Sequence, residues 1–272
     1  MTTPVRGTSG PARTFSSSIF TKTLYDNRRV FTAWAAATGL LTMMYGSFYP
    51  QISADSMASV PESMRGFGLN DVSSAAGYLQ GAVFGLLVPL LATFYGAATG
   101  ARMISAEEES GYLDLLLAHP VGRVRLLLHR FAALATGAVV IAAVVLAAMA
   151  AIRSSADLDA ISLSRFTAQA INLALLGTVF GALATGLGAA TRKSRPIVFG
   201  ITAGIGVATY ALHGFAPQIG ADWLRNLTPY EYYIGGEPLK NGPQFADAAI
   251  LAAAAAALII AGAWRFTHRD LG

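Results

Sequence analysis

The sequence predicts an all-α membrane protein of six transmembrane helices, and three observations predict it. Hydrophobic residues make up 54% of the 272-residue chain and charged residues only 12%, against roughly 25% charged in an average soluble domain. Six apolar runs are long enough to cross about 30 Å of hydrocarbon, and not one Asp, Glu, Lys or Arg lies inside them. The basic residues gather in alternate connections between those runs. So little charge could not cover the surface of a soluble globule of this size.

The runs are residues 31–49, 78–101, 131–152, 168–190, 196–216 and 248–264, between 17 and 24 residues each. Helices are the geometry they must adopt, because lipid cannot satisfy free backbone groups. A β-barrel would need alternation at every second residue, which the runs lack. Cysteine is absent, which excludes disulfide frameworks, zinc-thiolate sites, iron–sulfur clusters and thiol nucleophiles together.

Direction follows from charge. With the termini and the even-numbered connections taken as one side, 14 of the 19 basic residues lie there: Arg6, Arg13, Lys22, Arg28, Arg29, Arg102, Arg123, Arg125, Arg130, Arg192, Lys193, Arg195, Arg265 and Arg269. The other side holds Arg65, Arg153, Arg165, Arg225 and Lys240 against nine acids. The first side is therefore expected to be the cytoplasm, with both termini inside. The net charge of +4 reflects these loops and does not point to nucleic acid.

Along the chain, residues 1–14 read as a disordered tail with no cleavable signal peptide. Residues 15–30 place Phe15, Ile19, Thr23 and Leu24 on one helical face, which predicts an amphipathic helix lying at the membrane surface before the chain turns inward. Residues 31–272 form the six-span domain. Gly77, Gly81 and Gly85, Gly96 and Gly100, and Gly200 and Gly204 recur four apart, a spacing that lets helices approach closely.

Ion-coupled carriers need titratable side chains at membrane depth. The polar side chains noted within the spans are His213, near the outer end of the fifth, and the neutral Gln169 and Asn172 of the fourth. A lone His near an interface is more often a packing residue than a proton relay. Enzymatic readings fare no better, since HExxH, GxSxG and a complete P-loop are all missing. The nearest lookalike, GAATRKS at 188–194, lacks the second glycine. No catalytic or metal-binding residue is predicted in this chain, and its driving energy must come from elsewhere.

The connection between the second and third spans, ARMISAEEESGYLDLLLAHPVGRVRLLLHR, has unusual content. Ser105 and Glu108 form a capping-box signature, and Glu107, Glu108 and Glu109 occupy the first turn, where the helix dipole favours negative charge. Tyr112, Leu113, Leu115, Leu116 and Leu117 follow until Pro120 stops the helix. A short helix with an acidic head and an apolar body needs a partner surface. Anionic lipid would repel the acidic head, so a groove in another protein fits better.

This run resembles the glutamate-rich "G-T-L-E-L-L-L-s-x-P-v-s-R" segment of the permease subunits of type-2 ABC exporters. Gly111, Leu113, Asp114, Leu116, Leu117, Pro120 and Arg123 match it, with Tyr112 for the commoner threonine and Gly122 for serine. The segment ending Asp26-Asn27-Arg28-Arg29, the six spans and the terminal FTHRDLG are similar too. The run TPYEYYIGGEPLKNG at 228–242 is similar to permeases of drug and antibiotic exporters from GC-rich bacteria.

The resemblance implies a bacterial plasma-membrane permease without a cofactor of its own. ATP and Mg would be bound by two copies of a separate ATP-binding subunit, which the helix around 107–118 enters as a coupling helix. A second six-span permease, identical or paralogous, would complete the pathway. It also implies short re-entrant helices at the outer mouth, between the last two spans. Trp223, Tyr230, Tyr232 and Tyr233 there are either gating residues or a plain aromatic belt. Met43, Met44, Tyr45, Phe84, Phe94, Tyr95 and Tyr210 either line an apolar pathway for amphipathic drugs or lipids or serve helix packing. The function expected is efflux of a hydrophobic or amphipathic compound. The alternatives are an ion-coupled or passive carrier and a non-transporting scaffold.

Overall fold

The computed structural model describes residues 12–51, 74–104, 122–191 and 193–268, with side chains from residue 19 onward. The regular elements among the described residues are all helical. Six helices are long: α1 (Ala12–Gly46), α2 (Ala75–Met103), α3 (Arg123–Ile152), α4 (Leu163–Ala190), α5 (Arg195–Phe215) and α6 (Phe245–Thr267). Helices α2, α3, α4 and α6, and α5 with the 3-10 turn that continues it to Ile219, are long and apolar enough to cross a membrane. The chain is a multi-pass membrane protein.

Helix α1 is not among those five. Thr32, Trp34, Thr38, Gly39, Thr42 and Tyr45 dilute its apolar run, although its 35 residues span about 50 Å at 1.5 Å per residue. It also departs from the expected turn near residue 30, running without a break through Asn27, Arg28 and Arg29. The apolar face read there does exist. Ile19 and Leu24 pack against a core of Phe31, Met103, Ile104, Leu126, Leu127 and Phe266, so this face rests on protein.

The helices alternate in direction, which brings the start of α1, the end of α2, the start of α3, the α4–α5 connection and the end of α6 to one end. The described basic residues concentrate there, and this is called the basic end below. A second core occupies the opposite end, built from Tyr78, Leu79, Phe84, Met149, Phe166, Leu173, Phe180, Tyr210, Tyr230 and Tyr233.

Helix α4 is the centre of the bundle. Its apolar stretch is 72% buried, compared with 22% for α6. Small residues make that possible, because backbones approach closely only where no side chain separates them. A methyl group at Gly96 would collide with the Gly177 carbonyl oxygen and lie 2.7 Å from the Gly181 nitrogen. One at Gly100 would stand 2.7 Å from both the Gly181 oxygen and Ala184 Cβ. Gly262 of α6 meets Gly186 of α4 in the same way, at 2.5 Å from its Cα. Gly200 and Gly204 have open space around them, so their spacing serves no packing within this chain.

Two four-residue repeats thus behave differently, and a single methyl distinguishes them. Gly96→Ala should cost about 1–3 kcal/mol, the usual price of overpacking, and lower the thermal midpoint in detergent. Gly200→Ala should change stability by less than about 0.5 kcal/mol, as an exposed site with no special feature does. Thermal unfolding of the two variants side by side checks both.

Candidate functional site

The α5–α6 connection leaves regular helix repeatedly. After α5 come 3-10 turns at Ala216–Ile219 and Asp222–Leu227, a π turn at Glu231–Gly235 and a short helix at Pro238–Asn241. Gly220 and Gly242 have φ of 67° and 85°, in the left-handed region that glycine enters at little cost. Glu237 also has a positive φ, 50°.

Backbone groups in such a segment need partners, and neighbouring helices supply them. Gln80 of α2 donates its amide N–H to the Ile234 carbonyl at 3.3 Å. Asn172 of α4 donates to the Tyr233 carbonyl at 3.2 Å. Both amides are buried, and the buried Gln169 amide lies beside the Tyr233 hydroxyl. Two consecutive carbonyls of the π turn are therefore held by two different helices.

The aromatic residues divide by burial. Tyr230 and Tyr233 are buried, whereas Trp223 is exposed and Tyr232 half-exposed, its hydroxyl donating to the Asn226 carbonyl at 2.8 Å. Tyr230 packs between Tyr210 and Phe180, with ring centroids 5.3 and 5.8 Å away. Its hydroxyl lies 2.7 Å from Thr93 Oγ1. Thr93 already donates to the Pro89 carbonyl, so Tyr230 is the donor in that pair. Burial pushes the Tyr230 and Tyr233 phenols above their ordinary range, which keeps both neutral.

Helix α2 is itself irregular where this segment seats, being π-helical over Leu79–Leu87. Pro89, just past that stretch, has no N–H to add to the helix ladder. Beside this proline, Tyr210 of α5 donates its hydroxyl to the Gly85 oxygen at 2.8 Å. At the rim, Glu231 Oε2 lies 2.9 Å from Arg225 Nε and 3.4 Å from His213 Nδ1. His213 thus packs against a carboxylate. Sequence reasoning missed this cluster and also Gln80, whose single amide was hidden within an apolar run.

The remaining predicted residues lie elsewhere. Met43 and Met44 are exposed and Tyr45 half-exposed on α1, while Phe84 is buried in α2. Phe94 is half-exposed and stacks on Phe199 at 6.4 Å. Tyr95 is buried against Phe31 and Trp34 and donates to the Leu134 carbonyl at 2.7 Å. Tyr210 is the partner of Gly85 already described. The predicted coupling residues Glu107, Glu108, Glu109, Gly111, Tyr112, Leu113, Asp114, Leu116, Leu117 and Pro120 lie outside the described residues.

Arg123 is described. It opens α3 and donates to the Phe266 carbonyl at the end of α6, at 3.4 Å. Arg130, buried two turns on, donates to the Met103 carbonyl that ends α2. Arginine at a helix C-terminus satisfies the last carbonyls and complements the dipole. The two guanidinium groups thereby tie together three helix ends at the base of the 105–121 connection.

Residues 17–271 match the family model described as ABC-2 family transporter protein. The chain belongs to the ABC-2 transporter family. It is a membrane-spanning permease of an ABC transporter, and membership implies partnership with an ABC ATP-binding subunit. The sequence matches none of the curated proteins.

Two substitutions test how the ABC-2 chain holds its irregular backbone. Tyr210→Phe and Asn172→Leu each remove a buried side-chain bond to a backbone carbonyl and should cost about 0.5–2 kcal/mol, the range for bonds between membrane helices. Tyr232→Phe, which removes a bond at the surface, should leave the thermal midpoint in detergent nearly unchanged.

Proposed function

We propose that this chain is one half of an ATP-driven exporter, coupled to its ATPase through the 105–121 connection. Family membership carries the reading, and the chemistry of the connection supports it. An acidic, leucine-rich segment whose ends meet two arginine-anchored helix ends is suited to receive a push and pass it to α2, α3 and α6. Helix α1 serves as the sixth span, which puts both termini on one side of the membrane. The basic end is then the cytoplasmic side, and the α5–α6 connection lies at the outer mouth. Two such permeases enclose the pathway, and the cargo is a hydrophobic or amphipathic compound.

The absence of Asp, Glu, Lys and Arg from the apolar runs is poorly suited to an ion-coupled carrier. A scaffold would bind a partner through the same connection without transport.

Topology is tested by single cysteines in this cysteine-free chain. With an impermeant thiol reagent on intact cells, Ser154→Cys should label and Ser105→Cys should not. The reverse pattern would invert the orientation.

Coupling is tested by Leu116→Asp. A charge placed in a desolvated contact should cost several kcal/mol, on the order of 3–5, and release the ATPase while the permease still inserts at normal levels. Co-purification of the ATP-binding subunit and transport by intact cells are the two readouts. Wild-type values for both would remove the coupling role, and loss of binding without any transport in the parent chain would favour the scaffold.

A further inference from the structure

Two buried side chains stand together with their hydrogen-bonding atoms unmet. Gln169 of α4 and Tyr233 of the π turn are both fully enclosed, and the Gln169 amide lies beside the Tyr233 hydroxyl. Yet Gln169 Nε2, Gln169 Oε1 and the Tyr233 hydroxyl all lack a hydrogen bond of good geometry within the chain. Leaving such groups dry is costly, and buried polar atoms in folded proteins are nearly always paired. A direct contact between the two cannot supply every bond, because one hydroxyl reaches only one end of an amide. Their polar neighbours have no proton to give. Tyr210 and Tyr230 share the same core, but their phenolic protons are committed to the Gly85 carbonyl and to Thr93. Asn172, further along α4, donates to the Tyr233 carbonyl.

We propose that Gln169 and Tyr233 enclose an ordered water molecule, which joins α4 to the α5–α6 connection. The water accepts an N–H from Gln169 Nε2 and donates to the Tyr233 oxygen, and the phenolic proton turns to Gln169 Oε1. The chemistry of the pair selects this ligand. An amide presents a donor and an acceptor side by side, and a phenol is both, so the ligand must donate and accept as well. A metal cation would be repelled by the amide N–H, and an anion by the amide oxygen. Neither side chain reaches the surface, where a larger ligand would have to project. Buried waters bond to otherwise unmet polar groups of this kind, and a water bridge is nearly as favourable in enthalpy as a direct bond. The π turn thereby gains a second polar attachment to α4 beside the Asn172 bond.

The test is radiolytic hydroxyl footprinting of the full-length chain in nanodiscs, read by mass spectrometry, since the radicals form from water and oxidise aromatic rings beside it. Tyr233 should be oxidised although it is enclosed. Tyr95, equally buried but donating to the Leu134 carbonyl, should stay unmodified and serves as the dry reference. After rapid mixing into heavy-oxygen water, the oxygen inserted at Tyr233 should exchange more slowly than that at half-exposed Tyr232. Gln169→Leu should lower Tyr233 oxidation to the Tyr95 level, with Tyr95 itself unchanged as the check on fold. Oxidation of Tyr233 no greater than that of Tyr95 in the parent chain would overturn the proposal. Exchange at Tyr233 as fast as at Tyr232 would overturn it too, by assigning the oxidation to bulk solvent. Undiminished oxidation in a folded Gln169→Leu variant would overturn the role of Gln169 in holding the water.

Discussion

A buried backbone carbonyl that leaves the helical ladder must find another donor, and hydrocarbon offers no water to serve it. That constraint organises this chain. Where α2 is π-helical and Pro89 has no N–H to give, Tyr210 reaches across from α5 to donate to the Gly85 carbonyl. The π turn at Glu231–Gly235 presents the Tyr233 and Ile234 carbonyls, and Asn172 and Gln80 take one each. At the basic end, Arg130 and Arg123 do the same for the last carbonyls of α2 and α6. At the other end, Tyr78 of α2 donates to the Tyr45 carbonyl near the end of α1, at 2.9 Å. These bonds also determine which helices are neighbours, because a donor serves only the carbonyl it can touch.

Close packing and polar capping depend on each other here. The Gly96–Gly177 and Gly100–Gly181 approaches draw α2 onto α4, and Gln80 and Asn172, from those same two helices, hold consecutive carbonyls of the one π turn. Wider separation would cost the turn a buried amide bond, although the Ile234 carbonyl would keep the Glu237 N–H at 2.9 Å. The glycines thus position the amides, and the amides fix the segment between α5 and α6. Thr93 illustrates the economy of the arrangement. It bonds back to Pro89 and receives the Tyr230 hydroxyl, so one residue spans both the irregular part of α2 and the buried aromatic cluster.

Five of the six expected spans were legible because membrane depth is a compositional property, and a run without charge is visible residue by residue. The ends of α2, α5 and α6 lie within about three residues of the expected boundaries. Helices α3 and α4 extend further, by eight and five residues at their starts, and in α3 the added residues include Arg123 and Arg130, which cap neighbouring helices. Charge there marks a contact, not a helix end. The close approach at Gly96 and Gly100 was legible as spacing, yet the same spacing at Gly200 and Gly204 packs nothing in this chain. Spacing alone cannot say which face a helix turns inward. The seat of the α5–α6 segment was less readable still. Gln80 meets Ile234 and His213 meets Glu231 only once five helices are assembled, and nothing in the local sequence of either pair encodes the meeting.

The distribution of polar groups also bears on where work can be done. Between the two ends, the groups that hold irregular backbone are amides, phenols and hydroxyls, which need no ion to be stable. Charges that make specific contacts sit at the extremes, with Arg225, Glu231 and His213 at one end and Arg123 and Arg130 at the other. A neutral hydrogen bond in apolar surroundings can break and reform at a cost of about a kcal/mol, whereas uncovering a buried charge costs several times more. The contacts that hold the middle of the bundle together are therefore the ones that cost least to exchange, and the costly charged contacts are confined to its two ends.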